Sequence, residues 1–245
     1  MSAGKLSVES NAIPTFSPPY TTTTHTFSDV TLIAIAYRVT RASIEALVPS
    51  ALTLADEPLV TSTFVHYGMS SVGQYAEFVQ SVEVSYGGET YNHPLILLLD
   101  NEAAIFAGRE VFGYPKVFGR TVIEHATGTR LVRGHAERPL GREVVGFEFV
   151  PEVRGEGMPG GGKRTLNLRV IPAAVPGQPP VVREFVPSSM QLEAKEVWLG
   201  KGCVSFPRTS AFDPWVNVEV LRYEGAFYAS GVSAKLINPT ETFPF

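Results

Sequence analysis

The sequence predicts a mainly β (α+β) domain, in which an antiparallel sheet forms a β-barrel or sandwich and carries a few short helices. Two observations support this fold class. Apolar and polar residues alternate over short segments, for example residues 82–86, 166–170 and 216–220, as they do in half-buried strands. The chain of 245 residues also contains 22 glycines and 19 prolines, which favours many strands joined by turns.

The N-terminal region is predicted to be an extended arm followed by a strand and a short helix. Residues 1–24 are polar and rich in proline and threonine, which is typical of an arm rather than a domain. Residues 31–39 form the first strand. Thr40 is placed to cap a helix over residues 41–48, and Pro49 would end that helix.

Three further strands are predicted in the next fifty residues. Residues 59–66 and 75–86 have strand patterns, and Gly87 and Gly88 supply a turn after the second of them. Residues 95–99 are a continuous apolar run. Such a run predicts a strand that is buried on both faces.

A second helix is predicted over residues 101–112, with Gly113 as its C-terminal stop. Almost every segment in the range 117–228 has the pattern of strands and turns, and residues 154–164 form a glycine-rich loop between two strands. Neither an internal repeat nor a change of composition divides the chain. We therefore expect a single domain over residues 1–245.

The charge and cysteine content exclude several classes of function. A net charge of −4 without a long basic run argues against nucleic acid and anionic membranes as partners. Apolar runs such as 95–99 are too short to span a bilayer, and the first twenty residues lack the apolar core of a signal peptide, so we expect a cytoplasmic protein. Cys203 is the single cysteine, which excludes an intrachain disulfide and a thiolate metal cluster; its neighbours Gly202 and Val204 predict a core position.

Motifs for common cofactors and nucleophiles are incomplete in this sequence. Gly155, Gly157 and Gly160 have the spacing of a dinucleotide-binding fingerprint, but Pro159 and further glycines follow where a helix should begin. Arg164 occupies the position at which a phosphate-binding loop needs serine or threonine. The five histidines lack metal-ligand spacing, and no serine elbow is present. We therefore expect neither a cofactor nor a metal.

Lys116 is the residue with the most unusual surroundings. Its neighbours in sequence are aromatic or apolar: Phe112, Tyr114, Pro115, Val117 and Phe118. Burial of an ammonium group costs free energy and favours the neutral amine. A neutral amine can attack a ketone to form a protonated imine, which is an electron sink for decarboxylation, aldol or dehydration chemistry. The local sequence leaves an alternative open, in which the lysine lies in an exposed turn with its charge facing the C-terminal carbonyls of the preceding helix.

Three motifs around this lysine have a counterpart in a known family. They are Leu-Asp-Asn-Glu-Ala-Ala-Ile at 99–105, Gly-Arg-Glu at 108–110 and Gly-Tyr-Pro-Lys at 113–116. With weaker matches that include Tyr-Ala-Glu at 75–77, they resemble the acetoacetate decarboxylase family. The resemblance is sharp over residues 37–119 and extends in order over nearly the whole chain. It implies an acetoacetate decarboxylase-like fold and a homo-oligomer built from dimers.

The resemblance also implies roles for individual residues. The family's lysine after Tyr/Phe-Pro forms the Schiff base, and Lys116 occupies that position. Glu77 matches a pocket glutamate that orients the substrate or the lysine. The predicted substrate pocket contains Thr63, Tyr75, Arg109, Phe112, Tyr114 and Phe118, and the role of Arg109 within Gly-Arg-Glu is expected to be largely structural.

Three positions depart from the family pattern. Val117 stands where the decarboxylases carry a second lysine, and an arginine near the pocket mouth would fall at about Val30. A second pocket glutamate would fall near Thr63, and neither Ser62 nor Thr63 is acidic. The imine-forming group is therefore present while most of the surrounding charged groups are replaced.

These observations predict a Schiff-base-forming lyase that acts on a keto acid or a related carbonyl compound, with decarboxylase-like chemistry. Two alternatives remain open. The same lysine could serve an aldolase-dehydratase of secondary metabolism. The barrel could also bind an apolar small molecule without catalysis, with Lys116 as a polar anchor.

Overall fold

The computed structural model describes residues 3–8, 12–160 and 162–245. Thirteen strands lie within these residues: β1 (His25–Val39), β2 (Leu59–Ser70), β3 (Tyr75–Tyr86), β4 (Glu89–Leu99), β5 (Lys116–Phe118), β6 (Arg120–His125), β7 (Val132–Glu137), β8 (Glu143–Arg154), β9 (Thr165–Ile171), β10 (Val182–Glu193), β11 (Glu196–Ser205), β12 (Val220–Ile237) and β13 (Phe243–Pro244). The helical segments in the same residues are the α-helix α1 (Glu102–Ala107), a π-helical turn (Gly108–Phe112) and the 3₁₀ turns Arg41–Ser43, Glu45–Leu47 and Pro214–Val216.

All of these strands belong to one sheet, ordered β13-β10-β9-β4-β3-β2-β1-β12-β11-β8-β7-β6, with β5 beside β4. Strand β10 also pairs with β12, so seven of the strands, β10, β9, β4, β3, β2, β1 and β12, close into a ring. The pairing is antiparallel except at β4–β5 and β4–β9, which are parallel. The predicted mainly β fold with a few short helices is confirmed.

The two faces of the ring strands pack against different surroundings. On β1, Ile33 and Ile35 face a core that also contains Phe147 and Phe149 of β8, beyond the ring. Leu32 belongs to a second apolar cluster, which includes Val65 of β2. Because side chains alternate along a strand, one face of the ring is filled by the first cluster while the other is left to line a cavity.

Most predicted strands have the expected positions. Strand β3 has the predicted bounds, and Gly87 and Gly88 follow it with positive φ values of 60° and 85°. The apolar run 95–99 is the end of β4, and its last two residues, Leu98 and Leu99, are fully buried. The glycine-rich segment 154–164 connects β8 to β9 as predicted.

The helix predicted over residues 41–48 is wrong. Two 3₁₀ turns occupy the segment, and they are separated by Ile44, whose φ and ψ of −130° and −23° interrupt a helix. Ile44 is completely buried in the core, so side-chain packing determines its backbone conformation. Thr40 does not cap the first turn, because its hydroxyl donates to the Glu219 carboxylate instead.

Two further predictions from apolar patterns are wrong. Residues 216–220 are not a strand, because Trp215 and Val216 are buried within a 3₁₀ turn and β12 begins only at Val220. Cys203 is exposed. It lies on β11 beside the buried Val204, and alternation along the strand directs the two side chains to opposite faces.

The described part of the predicted arm 1–24 contains no strand or helix; residues 1–2 and 9–11 lie outside the described residues. Tyr20 attaches it to the domain, since its hydroxyl donates to Glu110 Oε2 at 2.5 Å. No helix within the described residues is long and apolar enough to cross a membrane.

Candidate active site

The helix that precedes Lys116 begins with a side-chain cap and ends in an irregular turn. Asn101 Oδ1 accepts a hydrogen bond from the Ala104 amide at 2.9 Å, and helix α1 follows. The predicted helix over 101–112 is therefore confirmed in position, but its second half is π-helical. Gly113 ends it with a φ of 75°, the left-handed conformation that a glycine stop requires. Single π turns are uncommon and often occur at functional sites.

Strand β5 then places Lys116 next to the innermost part of β4. Lys116 pairs in parallel register with Leu97, and the residue is only 8% exposed. The guanidinium of Arg109 donates to the main-chain carbonyl of Lys116 at 3.1 Å. Arg109 therefore supports the backbone of the lysine.

Gly108 leaves the space that the lysine side chain occupies. A Cβ atom at this position would lie 2.5 Å from Lys116 Cδ and 2.7 Å from its Cε, which is closer than carbon atoms can approach. The π turn and the missing side chain at Gly108 together allow the ammonium group to pass the helix and enter the ring of strands.

Glu77 is the ionic partner of Lys116. Its Oε1 lies 2.9 Å from Lys116 Nζ, and the carboxylate is 3% exposed. The angles at this contact do not meet those of a hydrogen bond, so Oε1 keeps hydrogen-bonding capacity for another group. The Tyr67 hydroxyl donates to the other oxygen, Oε2, at 3.2 Å.

Tyrosine side chains surround the ion pair. Lys116 Nζ lies 5.8 Å from the ring centroids of both Tyr75 and Tyr114. Burial and the negative charge of Glu77 raise the pKa of Tyr67 and of Tyr75 well above the usual value. Burial also raises the pKa of Tyr114. These hydroxyls therefore remain protonated at neutral pH and can act as hydrogen-bond donors.

The ion pair lies in an apolar cavity of about 240 Å³ inside the ring. The cavity is lined by residues from all seven ring strands and from the helical segment before Lys116: His25, Phe27, Val30, Leu32, Thr63, Val65, Tyr67, Val72, Tyr75, Glu77, Val79, Leu97, Ala104, Ala107, Gly108, Phe112, Tyr114, Lys116, Thr165, Met190, Leu192, Ala234 and Leu236. Such a mostly apolar space with a few convergent polar groups is typical of a small-molecule site.

His25 is a polar wall residue that the sequence did not single out. Its Nδ1 lies 2.8 Å from Ser71 Oγ, and its ring is 6.1 Å from that of Phe112. Burial, and next the charge of Lys116, lower the pKa of His25. The imidazole is therefore neutral at pH 7.

The structure brings together six of the eight predicted site residues, Thr63, Tyr75, Glu77, Phe112, Tyr114 and Lys116. Arg109 and Phe118 do not line the cavity. The Arg109 guanidinium is bound to a main-chain carbonyl, and Phe118, at the end of the short strand β5, is 57% exposed. The cavity lining gives no support to their predicted contact with the substrate, because closeness in sequence to Lys116 does not fix the side of the chain on which a residue lies.

The structure also shows where the positions that depart from the family pattern lie. Val30 and Thr63 both line the cavity, whereas Ser62 faces the opposite side of β2 and contacts the Tyr37 hydroxyl at 2.9 Å. Val117 packs against the core on the other face of the sheet. An apolar and a neutral residue thus occupy the two wall positions at which the family's charged groups were expected.

Comparison with known proteins defines the class to which this fold and site belong. A sequence model of the acetoacetate decarboxylase family matches residues 12–235. The chain belongs to the acetoacetate decarboxylase family, and the resemblance stated from its motifs is confirmed.

Individual relatives support the same assignment. The chain is 37% identical over 238 residues to the decarboxylase DEC1 of Cochliobolus heterostrophus, with 93% of each chain covered. A crystal structure of acetoacetate decarboxylase from Legionella pneumophila superposes with a TM-score of 0.81 at 21% identity, covering 100% of this chain and 96% of that one. The enduracididine biosynthesis enzyme MppR, complexed with the condensation product of pyruvate and imidazole 4-carboxaldehyde, has a TM-score of 0.77 at 20% identity, with 98% and 97% coverage. The two structural comparisons establish the fold.

Proposed function

We propose that this protein is a Schiff-base-forming lyase that decarboxylates a 3-keto acid, with Lys116 as the nucleophile and Glu77 as the acid and base. One observation carries the proposal. The amine of a lysine residue that is 8% exposed lies 2.9 Å from a buried carboxylate in an otherwise apolar cavity. A desolvated lysine is a recognised way to obtain an amine nucleophile, for which the acetoacetate decarboxylases are the standard example.

Imine formation uses both members of the pair. Glu77 accepts a proton from Lys116, and the neutral amine forms a bond to the ketone carbon while the carbonyl π electrons move to oxygen. That oxygen takes a proton from Glu77, and Glu77 then accepts one of the two remaining protons on nitrogen. Glu77 returns this proton when the hydroxyl group leaves as water, which yields a protonated imine and a carboxylate.

Carbon–carbon cleavage follows from the charge on the imine. The bond between the carboxylate and its neighbouring carbon breaks, its electron pair enters the C=N⁺ group, and CO₂ leaves an enamine. Water supplies a proton to the enamine carbon through Glu77, which re-forms the protonated imine, and addition of a water molecule to that imine releases the methyl ketone and the lysine amine. The negative charge of Glu77 and the apolar wall disfavour a second carboxylate in the cavity, which favours its loss as neutral CO₂.

The similarity to DEC1, which is named a decarboxylase, favours decarboxylation over the other reactions of a protonated imine. One observation favours aldol and dehydration chemistry as a second candidate. Val30 and Thr63 give the cavity neither a cation for a substrate carboxylate nor a second anion. An aldolase-dehydratase would use the same Lys116 imine, but would condense it with an aldehyde instead of releasing CO₂.

Borohydride trapping tests the proposal and separates its alternatives. The protein is incubated with a short 3-keto acid, reduced, digested and examined by mass spectrometry. We expect an adduct on Lys116 whose mass lacks one CO₂ relative to the reduced imine of the intact acid. An adduct that retains the carboxylate, together with a condensation product when an aldehyde is added, would favour the aldolase-dehydratase.

Two lysine variants provide the controls. Lys116→Ala should abolish trapping, because it removes the one amine that lines the cavity among the described residues. Lys201→Ala should leave trapping intact, since the Lys201 side chain is 85% exposed and does not line the cavity. Absence of any adduct in the wild-type protein, or an adduct that persists in Lys116→Ala, would overturn the proposal and favour the non-catalytic binding protein.

A further inference from the structure

A groove of about 1400 Å³ continues from the Lys116 cavity. The two spaces share a part of their walls, formed by Leu32, Thr63, Tyr114, Thr165, Met190 and Leu192. The smaller cavity contains the ion pair, and the larger groove does not reach it. The groove is therefore adjacent to the cavity, and a molecule whose reactive carbon lies at Lys116 has the groove beyond these six residues.

The floor of the groove is a ladder of small side chains on β1 and β2. Ala34 faces Thr63 across the two strands, and the next rung is Ala36 opposite Thr61. Both rungs line the groove. Small side chains along one face of paired strands leave a straight channel that begins at the shared wall residue Thr63.

The walls of the groove are mainly apolar. Met190 and Leu192 of β10 form one side, and Leu199 and Phe227 contribute to the lining from β11 and β12. Leu192 is 37% exposed and Val153, also in the lining, is 57% exposed. Exposed apolar side chains that cluster along a groove indicate a ligand that covers them.

The positive side chains of the groove already have partners. Arg38 Nε lies 3.2 Å from Glu224 Oε1, and Lys163 pairs with Glu83. Glu193 adds a negative charge to the lining, and Glu152, also in the lining, pairs with Lys201. This balance disfavours an anionic group in the groove and fits an uncharged chain.

We propose that the substrate is a 3-keto acid whose ketone carries a long, linear, apolar chain, with the keto acid head in the Lys116 cavity and the chain along the groove. The proposal rests on the function proposed above and specifies its substrate class. From Thr63 to Leu59, the groove follows four residues of β2, roughly 13 Å at the rise of a strand. A chain of about ten carbons spans that length, given single bonds of about 1.5 Å.

Binding of unreactive analogues tests the groove without requiring catalysis. The 3-hydroxy acids have no ketone and form no imine, so their affinities can be measured by calorimetry on the full chain for lengths of four to twelve carbons. We expect affinity to rise by about fourfold for each methylene that becomes fully buried, because burial of a methylene contributes about 0.8 kcal/mol. The heat-capacity change of binding should become more negative with chain length.

Substitutions at the second rung, Ala36 and Thr61, test whether the long chain binds in the groove. Ala36→Phe and Thr61→Phe place a ring across the channel from opposite strands, and each should reduce the ratio of twelve-carbon to four-carbon affinity at least about tenfold. Ala174→Phe is the matched control, because Ala174 is exposed and lines neither space. It should leave the ratio unchanged.

The outcomes separate this inference from the proposed function. The long-chain proposal is overturned if affinity does not change with chain length. It is also overturned if affinity rises with chain length as steeply in the two rung variants as in the wild type. Either result stands even if borohydride trapping succeeds with a short keto acid. Length-dependent binding that the rung variants abolish supports it. If that result accompanies a failure to trap any ketone, the lyase proposal fails while the groove remains a site for an apolar chain.

Discussion

Lys116 Nζ lies 2.9 Å from Glu77 Oε1, and the two side chains are 10% and 4% exposed. The residues are 39 positions apart in sequence, and register links them: Glu77 pairs with Leu99 on β4, and Lys116 pairs with Leu97 of the same strand. The contact therefore depends on two successive strand pairings, of which one is parallel.

Removal of Glu77 should be costly for stability as well as for activity. Glu77→Gln leaves the buried amine without an ionic partner, and we expect it to lower the free energy of unfolding by about 3 kcal/mol, the usual range for breaking a buried pair. The double variant Glu77→Gln/Lys116→Met should recover at least half of that loss, because no uncompensated charge remains. Urea denaturation measures the free energy of unfolding of both variants. If the effects of the two substitutions simply add in the double variant, the energetic coupling between Glu77 and Lys116 is contradicted.

Gly108 should be needed for the position of the lysine. In Gly108→Ala, the new Cβ would lie 2.5 Å from Lys116 Cδ, so the side chain must move away from Glu77. We expect borohydride trapping to fall by at least about tenfold, since misplacement of a reacting group by about 1 Å can cost more than that. Gly4→Ala is the control, because nothing lies within 4 Å of its Cβ position. Equal trapping in the two variants would refute the packing argument.

Two phenylalanines near Lys116 should differ sharply in their effect on stability. Phe112 is 1% exposed and belongs to the cluster around the cavity, so Phe112→Ala should cost about 3–5 kcal/mol. Phe118 is 57% exposed, and Phe118→Ala should change the free energy of unfolding by less than about 0.5 kcal/mol. Denaturation of both variants in urea compares them directly, and similar losses would place Phe118 in the core after all.

The different positions of Phe112 and Phe118 also show how far the site can be predicted from the sequence. The motif that contains Lys116 and the likeness of residues 75–77 pointed to both members of the ion pair, and alternation located most strands. Alternation places Phe118 on the same face as Lys116, but β5 ends at Phe118 and its side chain is exposed, which the sequence does not indicate. His25 and Tyr67 were missed because their role depends on strands brought together by the ring. The homo-oligomer and the cytoplasmic location stay predictions.

Stability should decline as the pH falls from 6.5 to 5. His93 is buried, with Nδ1 2.7 Å from the Leu166 carbonyl oxygen, and burial lowers its pKa below the usual value of 6.5. In this range the unfolded chain binds a proton that the folded chain does not, so the folded state loses stability as the pH falls. His25 contributes in the same direction. Urea denaturation at several pH values should give a smaller slope for His93→Gln than for the wild type, and an equal slope would contradict the assignment.

Imine formation at Lys116 should depend on pH but only weakly on ionic strength. The position of the second family lysine is occupied by Val117, which packs against the core on the far side of β5 from the cavity. A cation there would point away from Lys116, because successive strand residues face opposite sides. Desolvation in a closed apolar cavity is little affected by salt, whereas repulsion between solvent-exposed charges is screened. Val117→Lys should therefore change the trapping rate by less than about threefold and leave its salt dependence weak, since the added charge lies across the strand.

Trapping rates at low and high salt, measured for the wild type and for Val117→Lys, test this prediction. A strong salt dependence in the wild type, or one that appears in Val117→Lys, would mean that a neighbouring charge, and not burial, controls the amine.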